Sequence, residues 1–339
     1  MKKEDLLKIE ELEKTRKKNF LAFSVIAEYL NEYPTLINEK LMKEIGADVG
    51  ANEERVFAIF LANALSDNDE VIRLLEREFL RKSVKKLNAT EYRNDPYYKN
   101  IKIPTKKLKN WSLGYQSYKK YEGFIYRDVL VEKDFIEIPQ IGFFDEEFSF
   151  PTVFENGVEW MAIKPNEIET MKHHIEKMQG DVAVFGLGMG YFAYMVSQKQ
   201  EVSSVTIVER DENVIQLFKE NILPQFPNKD KITIVKGDAF EFVEDSQNTT
   251  KYRRAFVDLW HDAGDGLPLY SKMKGLESKM PSTEFSYWIE DTLVTYARWQ
   301  IFMELYDKIK NGTLEISYED MKKAISKDGV IKILTRIEK

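Results

Sequence analysis

The sequence predicts an α/β protein in which a doubly wound parallel sheet is preceded by a helical N-terminal domain and a small β-rich region. Three observations predict this. Apolar residues recur at helical spacing among charged ones over residues 1–90, β-forming residues crowd 123–165, and 182–260 alternates short apolar strands with helical stretches. The expected organisation is a helical domain at 1–90, a basic and aromatic linker at 91–122, a β-rich region at 123–165 and a Rossmann-like domain at 166–339. At 339 residues, two or more domains are the natural expectation, and 43% hydrophobic with 32% charged side chains suits a folded chain that is neither disordered nor membrane-embedded.

In the first region, Val56, Phe57, Phe60, Leu61, Ala64 and Leu65 form one apolar stripe, and Ile72, Leu75 and Phe79 a second. Ser66 to Asp69 between them suits a turn and a helix cap. The N-terminus opens a charged helical pattern with no long apolar run, so a cytoplasmic protein without a membrane span is expected.

In the linker, Asp95-Pro96 and Pro104 interrupt helix, and lysines interleave with Trp111, Tyr115, Tyr118 and Tyr121. Residues 97–127 hold eight Lys or Arg against the single acid Glu122, a local net charge of about +7. Basic residues mixed with aromatics suit an RNA strand, through phosphate neutralisation and base stacking. A solvated linker with packed aromatics is the competing expectation. The chain as a whole carries a formal charge of −7, which argues against indiscriminate nucleic-acid binding.

Phe124, Ile125, Val129, Leu130, Phe135, Ile136 and Ile138 read as strand, and Asn156-Gly157 as a two-residue hairpin turn between 150–154 and 158–163. A helix is expected to follow, with Asn166 as N-cap, Glu169 as its capping-box partner and an end near Met178.

Strand 182–185 runs into Gly186-Leu187-Gly188-Met189-Gly190, and a helix starts at Tyr191. Glycines at such a turn permit positive φ and a close ligand, and the helix start offers unpaired N–H groups. The next strand, 205–208, ends in Glu209, an acid that can accept from both ribose hydroxyls of an adenosine. Strand 232–235 leads into Gly237-Asp238-Ala239, where a carboxylate could accept from an adenine amino group. Strand 254–257 ends in Asp258-Leu259-Trp260-His261-Asp262. Three successive strands thus end in Glu209, Asp238 and Asp258, at the edge where open α/β sheets bind ligands.

On these motifs, residues 180–262 resemble the class I S-adenosylmethionine-dependent methyltransferases and, within them, the spermidine synthase branch, through Val208 to Ile215 and Gly237 to Phe242. The resemblance implies that Gly186, Gly188 and Gly190 approach the amino-acid part of S-adenosylmethionine, that Glu209 holds the ribose and Asp238 the adenine amino group, and that the adjoining Leu187, Arg210 and Ala239 also bind the cofactor. It implies that Asp258 faces cofactor and acceptor. Val184 stands where many methyltransferases have an acid, the Asn-Pro-Pro-Tyr motif is absent, and Asp258 and Asp262 are four apart where spermidine synthases pair aspartates three apart. A dinucleotide dehydrogenase fits less well: Gly186 and Gly188 would demand Gly or Ala at 191, which is Tyr.

On the acceptor side, Asp258, His261 and Asp262 are the candidate catalytic residues, His261 as general base and the acids as its orienters or as binders of a cationic substrate. Asp265 completes an oxygen-rich group, but no metal is expected because no recognised ligand spacing is present. His173-His174 is read as structural. Thr283 to Lys310 reads as one long helix with Phe285, Trp288, Ile289, Leu293 and Tyr296 on one side, Ser317 to Ser326 as another, and Val330 to Ile337 as the only good late strand. A fifth strand for the parallel sheet is not evident.

The expected function is methyl transfer to an unidentified small-molecule acceptor. The enzymatic alternative is aminopropyl transfer from decarboxylated S-adenosylmethionine, and the other is a non-catalytic nucleotide- or RNA-binding protein. The absence of cysteine removes disulfides, thiolate nucleophiles and cysteine-bound clusters. Among methyltransferases it therefore excludes the thiolate route to carbon-5 of a pyrimidine and radical use of the cofactor. Direct transfer to O, N or S remains.

Overall fold

The computed structural model describes residues 2–49 and 52–337. It divides into two compact units, each assembled from separated stretches of chain. Among the described residues, one unit comprises 2–49, 52–89, 117–148 and 294–333, and the other 90–116, 149–293 and 334–337. Both therefore differ from the contiguous segments at 90, 122 and 165 that composition alone suggests.

The first unit is helical around a small sheet. Helices Lys3–Glu32, Glu53–Ala64 and a π-helical turn Leu75–Leu80 cover strands Lys85–Lys86, Glu137–Phe143 and Phe124–Val131. Val56, Phe57, Leu61, Leu75 and Phe79 are buried in its core as their spacing predicts, while Ala64 lies exposed at the helix end. Asn68 caps the helix after the Ser66–Asp69 turn, accepting from the N–H groups of Glu70 and Val71.

Three distant stretches of the chain meet at Glu137, which is fully buried. Its carboxylate accepts from Arg298 Nη1 and, at 2.7 Å, from Trp299 Nε1, and its N–H donates to Asn19 Oδ1 at 3.2 Å. Arg298, itself 3% exposed, also donates to the Ile325 carbonyl at 2.9 Å. Glu137→Ala would leave a buried guanidinium without its carboxylate, and should cost about 3–5 kcal/mol. Urea unfolding of the two proteins measures this, and a change within about 0.5 kcal/mol would contradict it.

The second unit holds two sheets. The larger has five strands, β1 (Gly180–Phe185), β2 (Val202–Glu209), β3 (Ile232–Lys236), β4 (Arg254–Val257) and β5 (Glu284–Tyr287), in the order β3-β2-β1-β4-β5. All four pairings are parallel. The order reverses at β1, so the strand-end crevice of a Rossmann-like sheet opens between β1 and its neighbours on either side. The buried runs 182–185 and 255–257 explain the apolar texture of the central strands. The helices of this layer are α1 (Pro165–Lys177), α2 (Tyr191–Ser197), α3 (Glu212–Asn221), α4 (Ala239–Glu244) and α5 (Ala263–Leu276).

The smaller sheet orders strands Lys106–Leu108, Trp111–Tyr118, Phe148–Glu155 and Val158–Ala162. Asn156 and Gly157 turn its hairpin with φ of 52° and 82°, the left-handed pair that a two-residue turn of this type requires. The stretch read as a linker is thus partly strand and partly helix, with Pro96–Asn100 capped by Asp95. Trp111 and Tyr121 are buried and Tyr118 stacks on Phe124, which leaves Tyr115 as the exposed ring among the four aromatics of that stretch.

Three local readings are corrected. Residues 284–287 form β5, beside β4, and the long helix starts only at Glu290. Residues 327–337 form a helix, because Val330, Ile333, Leu334 and Ile337 recur at helical spacing and a short apolar run does not by itself choose between strand and helix. Helix α1 starts at Pro165 with Lys164 as N-cap and no side-chain cap, so Asn166 lies inside the first turn. Proline at that first position removes one of the unpaired N–H groups of the helix start and presets φ for the helix. The helix at Tyr318–Ala324, capped by Ser317, follows the sequence reading. Among the described residues no helix is long and apolar enough to cross a membrane.

Candidate active site

The carboxyl ends of β1, β2, β3 and β4 line one cleft. Main-chain bonds extend the sheet one step past each strand and so aim the functional residues. Gly186 N–H donates to Val208 O at 3.0 Å, Gly237 N–H to Glu209 O at 3.0 Å and Asp258 N–H to Phe185 O at 2.9 Å.

The glycine turn after β1 is a steric necessity. Gly186 has φ of 99°, and a Cβ there would lie 2.0 Å from the Asp258 carbonyl oxygen. Gly190, with φ of 73°, is the N-cap of α2, and a Cβ there would lie 2.4 Å from the Phe218 ring. Gly186, Leu187 and Gly188 line the cleft, whereas Gly190 does not: it packs against Phe218 and Phe226. Gly190 therefore serves helix packing, a correction to its reading as a ligand-facing residue.

Glu209 ties the turn to β2. Its Oε2 accepts from Leu187 N–H at 3.1 Å and its Oε1 from Asp211 N–H at 2.8 Å. Each carboxylate oxygen has a second lone pair for a ligand hydroxyl. Asp238 Oδ1 caps α4 by accepting from Phe240 and Glu241 N–H groups at 2.8 and 3.2 Å. Arg210, Asp238 and Ala239 also line the cleft, so eight of the nine residues expected to meet a cofactor share one cavity.

Of the three candidate catalytic residues, Asp258 and His261 line the cleft and Asp262 does not. Asp262 is an N-cap: its Oδ1 accepts from Gly264 and Asp265 N–H groups at 2.6 and 3.3 Å, and Asp265 returns the bond to Asp262 N–H at 2.9 Å. This reciprocal box starts α5. Asp265 also holds the His261 N–H, but among the described residues the imidazole has no hydrogen bond to orient it. Asp258 is different: burial pushes its carboxyl up to about 7, where a proton acceptor is effective near neutral pH.

Several residues of the cleft escaped the sequence reading. Trp111, Val153, Glu155, Trp160 and Met161 come from the smaller sheet and form the wall opposite the strand ends. Trp160 is 41% exposed, edge-on to Trp111 at 5.7 Å and 6.0 Å from the His261 ring. Trp111 Nε1 donates to Asp211 Oδ2 at 3.3 Å, which joins this wall to the start of α3. Outside the cleft lining, Glu167 in the first turn of α1 is buried, and burial followed by the charge of Asp258 pushes its carboxyl well above the usual range. The Asn156-Gly157 hairpin was legible, but nothing in the local sequence says that its strands face the glycine turn.

Residues 164–274 match the family described as the spermine/spermidine synthase domain. That match spans roughly a third of the chain and contains the glycine turn, all three strand-end acids and Glu167. Among solved structures, the chain is similar to spermidine synthase from Thermotoga maritima, at 15% identity over 40% of this chain and 48% of that one, with a TM-score of 0.30. A spermidine synthase in complex with the transition state analogue AdoDATO matches at 17% identity, over 32% of this chain and 40% of that one, with a TM-score of 0.26. Precorrin 8w decarboxylase of Methanobacterium thermoautotrophicum matches at 23% identity, 33% and 56% coverage and a TM-score of 0.26. The chain thus spans about half the length of these proteins. No curated protein matches.

Proposed function

We propose that the chain is a transferase that moves an aminopropyl group from decarboxylated S-adenosylmethionine to an amine. The observation that carries this reading is that the stretch matching the spermine/spermidine synthase domain coincides with the cleft's glycine turn and strand-end acids. The methyl-transfer expectation of the sequence reading has no comparable support, and gives way to what was its alternative.

The residues present fit a nucleoside sulfonium. Gly188 lines the cleft, and a Cβ there would reach 3.0 Å from Met161 Cε, so the backbone is bare where a ligand must pass close. Glu209 would accept from the ribose hydroxyls, and Asp238 from an adenine amino group beside Ala239 and Phe240. When bound, the sulfonium supplies the electrophilic carbon. The chain's own part is to align the acceptor and to take a proton from it. An amine arrives as an ammonium, and its nitrogen can attack only after losing a proton, which Asp258 accepts. Trp160 and Trp111 offer aromatic faces and edges where an alkyl ammonium would lie.

Calorimetry with both sulfonium forms, followed by turnover with putrescine, tests the reading. Tight binding of the decarboxylated form and formation of the aminopropylated amine are expected. Binding of intact S-adenosylmethionine alone would return methyl transfer to first place, and binding of neither would end the transferase reading. Glu209→Ala should weaken sulfonium binding by about 10²–10³-fold, since two charge-assisted hydrogen bonds are lost at about 1.5–3 kcal/mol each before compensation. An affinity within threefold would remove Glu209 from the ribose site.

A further inference from the structure

The Asp95-Pro96 step, a helix interruption in the sequence, sets up a contact with the glycine turn inside the second unit. Asp95 Oδ1 accepts from Tyr97 N–H at 2.8 Å and caps the short helix Pro96–Asn100, whose first residue has its φ preset. Tyr97 is fully buried, its ring edge-on to Tyr194 at 5.4 Å and tilted against Tyr191 at 5.6 Å. Its hydroxyl donates to the Met189 carbonyl at 2.7 Å, and the Tyr191 hydroxyl donates to the other oxygen of Asp95 at 3.0 Å. The residues on either side of Gly190 are thus tied to Tyr97 and Asp95, which lie outside the stretch that matches the synthase domain. Burial holds the Tyr97 hydroxyl well above the usual tyrosine range, so it stays protonated and remains a donor.

The peptide between Met189 and Gly190 closes the turn. Its N–H donates to the Leu187 carbonyl at 2.8 Å, whereas among the described residues no main-chain N–H donates to its carbonyl. Carbonyl and N–H point in opposite directions from one rigid plane, so Leu187 and Tyr97 hold that plane at both ends. Glycine precedes and follows Met189, with φ of 50° at Gly188 and 73° at Gly190, and glycine resists backbone rotation least. The hydroxyl therefore supplies a restraint that the turn's own residues do not. Without it the Met189 carbonyl is a buried acceptor with no partner. Rotating the plane to find one breaks the Gly190–Leu187 bond and shifts Leu187 and Gly188, which line the cleft.

We propose that Tyr97 is a positioning residue for the sulfonium: its hydroxyl, acting through the Met189 carbonyl, fixes the glycine turn in the shape that leaves Gly186 to Gly188 open to the ligand. The inference rests on the nucleoside-sulfonium reading above. Asp95 supports Tyr97 twice, by capping the helix that carries it and by holding Tyr191 at the start of α2. The sulfonium site is thereby completed from 92 positions up the chain.

The test is calorimetry of the full chain with decarboxylated and intact S-adenosylmethionine, comparing wild type with Tyr97→Phe and Tyr194→Phe. Tyr97→Phe keeps the ring and loses only the hydroxyl. Tyr194→Phe removes a hydroxyl of the same cluster, one bonded to Asn100 and Pro96 and to no part of the turn. Both variants should unfold at lower urea. Tyr97→Phe should weaken binding of the sulfonium that wild type takes by about tenfold, and Tyr194→Phe by less than about twofold. In turnover with putrescine, KM for the sulfonium should rise with that loss in Tyr97→Phe while kcat stays within about twofold. An affinity of Tyr97→Phe within about twofold of wild type, or equal losses in the two variants, would overturn the proposal. Should Tyr97→Phe fail to fold, Tyr191→Phe decides: it cuts the tie to Asp95 and should weaken sulfonium binding about threefold, and unchanged binding sinks the proposal. If wild type binds neither sulfonium, the sulfonium reading fails and the proposal with it. If wild type binds one and Tyr97→Phe binds it equally, only the role of Tyr97 fails.

Discussion

Asp258→Asn should lower kcat by about 10²–10⁴-fold, the usual contribution of a positioned proton acceptor, while sulfonium affinity changes by less than about threefold. The amide cannot accept the ammonium proton but keeps the shape of the carboxyl. If Asp258 takes the ammonium proton as proposed, the wild-type rate should rise with pH through about 7, because burial holds the carboxyl protonated below that value and only its ionised form could accept a proton. A variant whose kcat falls less than tenfold, or a wild-type profile flat between pH 5 and 8, would remove Asp258 from the proton path. The same shift has a consequence for stability. An acid whose pKa rises on folding contributes stability that is full below its unfolded value and is lost as pH climbs to its folded value. Asp258→Asn does not titrate. It should therefore gain in melting temperature relative to wild type between pH 5 and pH 8, the opposite of its effect on rate.

Gly186→Ala should destabilise the second unit by about 3–5 kcal/mol, the larger part from steric overlap and the rest from forcing a side chain to a positive φ. The methyl group would sit 2.0 Å from the Asp258 carbonyl oxygen, which is backbone at the end of β4 and cannot swing aside. Relief requires the ends of β1 and β4 to part, which carries the Asp258 carboxyl with them. Gly237→Ala is the matched control, because a Cβ there meets nothing within 4 Å. Its change should stay within about 0.5 kcal/mol. Equal urea midpoints for the two variants would show that the close approach at Gly186 is not a constraint.

The contrast between those glycines marks how far local sequence carries. Gly186 and Gly237 are both glycines at a strand end, and the spacing treats them alike. Only the pairing of β1 with β4, residues 182–185 against 254–257, brings the Asp258 carbonyl onto Gly186. Gly190 makes the same point in reverse. Its position in the turn suggested a ligand, but the rings of Phe218 and Phe226, from residues about 30 positions away, occupy the space beside it. Likewise the acids of the 258–265 loop look equivalent in sequence, yet Asp262 and Asp265 close a capping box while Asp258 lies in the cleft.

By itself the sequence determined that a strand–glycine-turn–helix unit exists, that the following strands end in Glu209, Asp238 and Asp258, and that Asn156-Gly157 turns a hairpin. These depend on short-range physics: φ tolerance, the period of side chains along a strand, and caps within three residues. The tertiary structure alone decided that Trp160 and Met161 wall the cleft, that Glu167 shares the field of Asp258, that 284–287 becomes β5 and that Arg298 meets Glu137. Each of these needs residues far apart in the chain to be brought within a few ångströms, or an edge strand to find its partner. Chain periodicity has no information about such meetings, because the free energy that selects them comes from burial and pairing between elements rather than within them.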